Sequence, residues 1–193
     1  MPVSVKAGNT GNTVSVKVNG ATKDASGFSL APDSTYTISV VQSRQYCKTT
    51  PAYERTVAVK IKPVTVTSGQ ASMYCNFGDA GDENEMCGSI YLGKNDSYDL
   101  IRSFDKTEFA QYTWVNFNST SKTLVLSNTS DSICYKSDGM YEHDSTSDND
   151  ICTNASGTIS LSTLKNKPSP FTYIIQGYGN NPIGLGIVLN FSD

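Results

Sequence analysis

Two segments of this chain place several metal- and proton-binding side chains between a pair of cysteines. From Cys134 to Cys152 the sequence reads CYKSDGMYEHDSTSDNDIC, with four aspartates, one glutamate and the only histidine, His143. A shorter version, CNFGDAGDENEMC, runs from Cys75 to Cys87. Cysteines bracketing a polar loop between strand-like flanks read as disulfides, Cys75 with Cys87 and Cys134 with Cys152, which points to an oxidising, extracellular compartment. In the loop-entropy view each closure stabilises the fold by about 3 kcal/mol. Cys47 is the odd fifth cysteine, and sequence leaves the connectivity open. No CxxC occurs, so zinc-ribbon and thioredoxin-like readings have no basis.

The chemistry that acidic loops could perform is the binding of a hard cation. Calcium takes several oxygens from carboxylates, amides and carbonyls on a loop able to wrap it. Asp144, Asp148, Asn149 and Asp150 supply that set within seven residues, and Asp79, Asp82, Glu83 and Glu85 repeat it in the first bracket. Neither follows the D-x-[DN]-x-[DN]-G spacing. The plainer reading is a solvated acidic loop that keeps the protein soluble.

Catalytic signatures are missing: GxSxG, HExxH and the P-loop are absent. His143 beside Glu142 and Asp144 reads as a solvated loop histidine. Any two of the 18 acidic residues could meet as a glycosidase pair, but the sequence selects none.

Recognition has a better candidate in Phe109–Phe117, FAQYTWVNF. Strand alternation there places Tyr112, Trp114 and Asn116 on one face. Aromatic planes suit the apolar faces of sugar rings, and amides suit their hydroxyls. The alternative is that Trp114, the only tryptophan, fills the core, since large aromatics are mostly buried. Tyr135, Tyr141 and Tyr178 read as loop aromatics, where binding residues commonly sit.

The elements that must carry these residues are strands. Val3–Lys6 and Val14–Val18 alternate around a Gly/Asn turn and read as a hairpin. Asn19-Gly20 and Pro32-Asp33-Ser34 are further turns. Glu54–Thr67 is the clearest period-two run, interrupted by Pro63, which cannot donate to a ladder. Such a run can begin in one sheet and finish in another. Asp99–Phe109 reads as a helix capped by Asp99, with a strand as the alternative. Leu161–Lys165 reads as one helical turn, and Ile183–Phe191 as a strand buried on both faces. About a dozen short strands make an all-β, antiparallel sandwich of jelly-roll or Ig-like type with disulfide-closed loops. It is read as one domain over residues 1–193, the only candidate boundary lying at 68–72.

Composition narrows the partners. A net charge of −3 and pI near 5.1 with scattered basic residues give no nucleic-acid footprint and no attraction to an anionic membrane. No apolar run reaches the ~18 residues of a membrane helix, and no charged-then-apolar leader is visible at the start. Five N-x-[ST] sequons occur, at Asn95, Asn118, Asn128, Asn154 and Asn190, in a chain rich enough in these residues for chance matches.

The reading is a non-catalytic, secreted binding module, adhesin- or lectin-like, meeting a glycan or a host or partner protein through its stapled acidic loops. A structural or self-assembling coat, pilus or inclusion protein is the rival, with homo-oligomers formed through edge strands or Cys47. A carboxylate hydrolase is third. If calcium occupies the second bracket, millimolar calcium should raise the melting temperature and EDTA reverse it. Joint Asp148→Ala and Asp150→Ala should abolish the shift, and no shift in the parent chain would remove calcium from the account.

Overall fold

Period-two sequence becomes strand almost throughout the computed structural model, which describes residues 1–8, 11–44, 53–78, 83–143 and 150–192. The described residues group into two compact units, Met1–Lys62 and Pro63–Asp193, where the sequence suggested one sandwich. The 68–72 boundary candidate lies inside a long strand of the second unit.

The first unit contains β1 (Pro2–Val3), β2 (Asn12–Val18), β3 (Ala21–Lys23), β4 (Phe28–Ser29), β5 (Ser34–Arg44) and β6 (Tyr53–Val59). Its main sheet is antiparallel in the order β3-β2-β5-β6, with β1 and β4 paired as a separate ribbon. The Val3–Lys6 segment and β2 therefore do not form the expected hairpin. β2 turns instead through Asn19-Gly20, both at positive φ, into β3. Alternation puts Val16 and Val18 inside with Leu30 and Val59, and Val3, Val5, Phe28 and Ile38 pack around them.

The second unit holds β7 (Val64–Cys75), β8 (Glu83–Lys94), β9 (Ser97–Ala110), β10 (Trp114–Phe117), β11 (Thr123–Leu126), β12 (Ser132–Glu142), β13 (Asp150–Ile151), β14 (Ser156–Ser160), α1 (Leu161–Leu164), β15 (Phe171–Gln176) and β16 (Ile183–Ser192). One antiparallel sheet runs β10-β7-β16-β15, with β11 also on β7. The other runs β13-β12-β8-β9, with β14 also on β12. They face one another as a sandwich: the Tyr135 hydroxyl on β12 donates to the Gly186 carbonyl on β16 at 3.3 Å. Between them lie Val66, Met73, Leu185 and Ile187 from one sheet and Met86, Ile90, Leu92 and Ile133 from the other, all nearly inaccessible. The four-residue α1 agrees with the expected helical turn, capped by Ser160, whose side chain accepts the Thr163 N–H.

Asp99–Phe109 is not a helix but part of β9. Two irregularities interrupt its pairing with β8, one beside Ile101 and one between Phe104 and Thr107. Extra residues at bulges break strict alternation, so the buried residues fall at Ile101, Phe104 and Phe109. Spacings of three and five imitate a helical stripe.

The β8–β9 hairpin is tied down by a buried carboxylate. Asp131 accepts hydrogen bonds from Asn95 Nδ2 at 2.9 Å and from the Ser127 and Asn128 N–H groups at 2.7 and 3.0 Å, and Lys94 Nζ lies 2.8 Å away. Burial alone would raise its pKa, but these donors outweigh burial and hold it well below the usual carboxylate value. A folded-state pKa below the unfolded one adds stability above pH ~4 that is lost as acid protonates the native carboxylate. Asp131→Asn should therefore lower unfolding free energy at pH 7 by about 3 kcal/mol. Denaturant melts should show the gap between parent and variant shrinking steadily as pH falls below about 4; an unchanged gap would contradict this account.

Candidate functional site

Phe117 sets the orientation of the most exposed aromatic cluster. Its ring packs edge-on against Phe104 at 5.1 Å and Phe109 at 6.3 Å inside the sandwich. With Phe117 inward, alternation along β10 turns Trp114 and Asn116 outward. Trp114 is accordingly 41% exposed and does not fill the core. The expected single strand Phe109–Phe117 is broken at Tyr112, whose φ is +54° and whose N–H donates to the Cys75 carbonyl at 3.0 Å. Tyr112 projects from the resulting β9–β10 turn, also exposed.

Register carries Trp114 into a row across the sheet. Trp114 pairs with Tyr74, Tyr74 with Gly184, and Gly184 with Gln176. The next row is Asn116, Ser72, Gly186 and Ile174. The indole stands 5.6 Å from the Tyr74 ring, tilted 36°, and lies over the two glycines. A β-carbon on Gly184 would come within 3.1 Å of the indole, and one on Gly186 within 2.6 Å of the Ser72 hydroxyl. Alternate glycines in a buried strand thus leave room for a large side chain to lie across it. The rows form a shallow platform of two aromatic rings bordered by Gln176, Asn116 and Ser72, with Ile174 exposed at its margin.

At one end of the platform a cavity of about 60 Å³ opens between Tyr74, Asn76, Gln176 and Pro182. The adjoining loop from β15 to β16 carries Tyr178, exposed as expected. Thr153 holds that loop, its hydroxyl donating to the Asn180 carbonyl at 2.6 Å and its N–H to the Asn181 carbonyl at 3.1 Å.

The other expected contact residues lie elsewhere. Tyr135 is fully buried, spent on the inter-sheet hydrogen bond, and burial pushes its phenol pKa up; it is no loop residue. Tyr141 sits on β12 in the opposite sheet, beside Cys87. A hydrogen bond with Cys87 is the main cause that raises its pKa. Tyr74, Ser72, Gln176 and the Gly184/Gly186 pair were not singled out from sequence. The alternation Ile-Gly-Leu-Gly-Ile in β16 was the signal available for them.

The cysteine brackets do not close. Cys75, Cys87 and Cys134 are free, buried thiols. Cys152 donates its N–H to Met140, six residues along β12 from Cys134, or about 20 Å at strand rise, well beyond the reach of a disulfide. Cys75 and Cys87 sit on different sheets. Cys75 neighbours Asn84 in the interior, and burial, only partly offset by that hydrogen bond, pushes its pKa up to about 11. Cys87, one step past the inward Met86, accepts the Lys106 N–H at 3.3 Å.

Of the acidic calcium candidates, Asp144, Asp148 and Asn149 lie outside the described residues, as do Asp79 and Asp82, and Asp150 is described only as the strand partner of Glu142. Among the described residues no group of three metal-ligating side chains converges. His143 packs at the base of both brackets, with Nδ1 3.4 Å from Glu85 Oε2 and its N–H donating to the Glu85 carbonyl at 2.8 Å. On the same sheet Lys136 Nζ lies 4.8 and 5.4 Å from the Tyr98 and Tyr91 ring centres. No helix among the described residues is long and apolar enough to cross a membrane.

No family model matches this chain, and no curated protein matches it.

A thiol assay checks the cysteine correction. Unfolded without reductant, the chain should release Cys75, Cys87 and Cys134 as reactive thiols. The native protein should react slowly, because the thiolate is the nucleophile and these sulfurs are buried. Recovery of thiols only after reduction would restore the disulfide reading.

Proposed function

We propose that the protein is a non-catalytic glycan-binding module whose ligand lies on the outer face of the β10-β7-β16-β15 sheet. The observation that carries the reading is Trp114 laid over Gly184 and Gly186 beside Tyr74, with amides and a hydroxyl at its borders. A sugar ring presents C–H groups on one face and hydroxyls around its rim. The indole and phenol offer flat apolar surfaces, while Gln176, Asn116 and Ser72 offer donors and acceptors at the rim. A rigid sheet holds these groups in place before the ligand arrives, so little entropy is lost in ordering them.

The contact surface thus moves from the acidic brackets to the sheet face. The bracket cysteines no longer argue for an oxidising compartment, and an extracellular location rests on the glycan reading itself. Calcium, if it binds the second bracket, is separate from this platform.

Trp114 is the only tryptophan, so intrinsic fluorescence reports on the platform directly. Titration with a panel of soluble oligosaccharides should give a saturable change in emission with at least one of them. Tyr74→Ala should weaken that response by about tenfold, the worth of one aromatic contact, while leaving the melting temperature within a few degrees. Emission unchanged across a broad panel would refute the assignment.

A further inference from the structure

The platform belongs to a sheet face that carries no charge. Following the register, the outward positions of β7, β10, β11, β15 and β16 are threonine, serine, asparagine, glutamine, glycine, valine, isoleucine, tyrosine and tryptophan only. The bulge between β7 and β16 adds Gly69 and Gln70, also uncharged. The opposite sheet's outer face differs: it presents Glu85, Lys136 and Asp138. Of the two outer sheet faces, the β12-β8 face is the one that holds these charges.

An uncharged face selects against charged ligands. Lys167 lines a hollow with Thr172 and Ile174 at the β15 edge, but along the row from Trp114 to Gln176 a carboxylate or sulfate would lose water and gain no cation, which is costly. Neutral hydroxyls exchange water for amide and hydroxyl partners at little net cost. The form of the face is also informative. The row from Trp114 to Gln176 crosses four strands, about 14 Å at ordinary strand spacing, and the second row runs parallel to it. The hollows that touch it are a small one at Tyr74 and open grooves at Gly69 and Gln70 and at Thr172 and Ile174, none of them the enclosed pocket that usually buries a small ligand. A surface that is long, open and flat suits a segment of chain rather than a single sugar.

Resting on the glycan reading above, we infer that the ligand is a neutral polysaccharide, bound as an extended segment across the strands rather than as a terminal sugar or an anionic glycan. Ile174, half exposed at the end of the second row, lies on the path of that segment.

Affinity electrophoresis tests this with neutral polymers (a soluble β-glucan and a galactomannan) against anionic ones (polygalacturonate and dextran sulfate), with Trp114 emission followed in parallel. The expected result is retardation by a neutral polymer that is insensitive to salt, and weaker binding of its mono- and disaccharides by at least about tenfold. Ile174→Lys, and independently Thr172→Lys, both on exposed side chains, should reduce neutral binding. Salt-sensitive retardation by an anionic polymer alone, with a Trp114 response, would overturn the neutral-ligand inference and leave the glycan reading standing. So would mono- or disaccharide binding as tight as the polymer's. No Trp114 response to any saccharide, neutral or anionic, would overturn both.

Discussion

The edge-on packing of Phe117 against Phe104 and Phe109 is the contact on which the exposed face depends. Burying a ring of this size is worth about 2–3 kcal/mol, and each edge-on pair adds about 1 kcal/mol. A one-residue slip of β10 would exchange Phe117 for a neighbour and send every side chain of the strand to the other face. It would also place Asn116 in the apolar interior. Trp114 and Asn116 are therefore exposed because Phe117 is not. The same alternation on β16 sends Leu185 and Ile187 inward and leaves Gly184 and Gly186 outward, where the indole can rest.

The sandwich of the second unit is pinned at several points that differ in chemistry. Tyr135 spans the two sheets through its hydroxyl, so an aromatic side chain supplies both apolar bulk and one directed hydrogen bond. Lys94 bridges from β8 to the Val125 carbonyl on β11 at 2.8 Å while also pairing with Asp131. Asp131 in turn organises the backbone of 127–131 and the Asn95 side chain of the facing hairpin. These polar ties fix where the strands begin and end, while the apolar interior supplies most of the stabilisation. Cys75 belongs with the interior and acts there as a small side chain with weak hydrogen-bonding capacity, while Cys134, on the other face of β12 from Tyr135, is covered by Asp96, Ser132 and Thr158; neither is a staple.

Much of the architecture was legible from local rules. Asn19-Gly20 demanded a tight turn because both residues tolerate positive φ, and the chain turns there. Ser160 ahead of Leu161 gave the short helix its cap. Ile183–Phe191 read as a deeply buried strand, and Ile183 through Ile187 are buried, as is Leu189; Val188 and Phe191 are half-buried and Asn190 is exposed. Where the sequence misled, the cause was nonlocal pairing. β9 looked helical because bulges imposed by its partner shifted its apolar residues off a period of two. The Gly8–Asn12 segment looked like a hairpin turn, but β1 pairs with β4, a choice set by strands later in the chain.

The sequence by itself determined that this protein is built of antiparallel strands, that it lacks the motifs of the common catalytic sites, and that Trp114 and Asn116 share a face. It could do so because side-chain alternation and turn preferences are properties of neighbouring residues. Only the tertiary structure decided which face that was, that Tyr74, Gly184 and Gln176 complete the row, and that the bracketing cysteines stand too far apart or on different sheets to join. Those outcomes depend on register between strands distant in sequence and on which side of each strand the opposing sheet covers, and no local pattern encodes either.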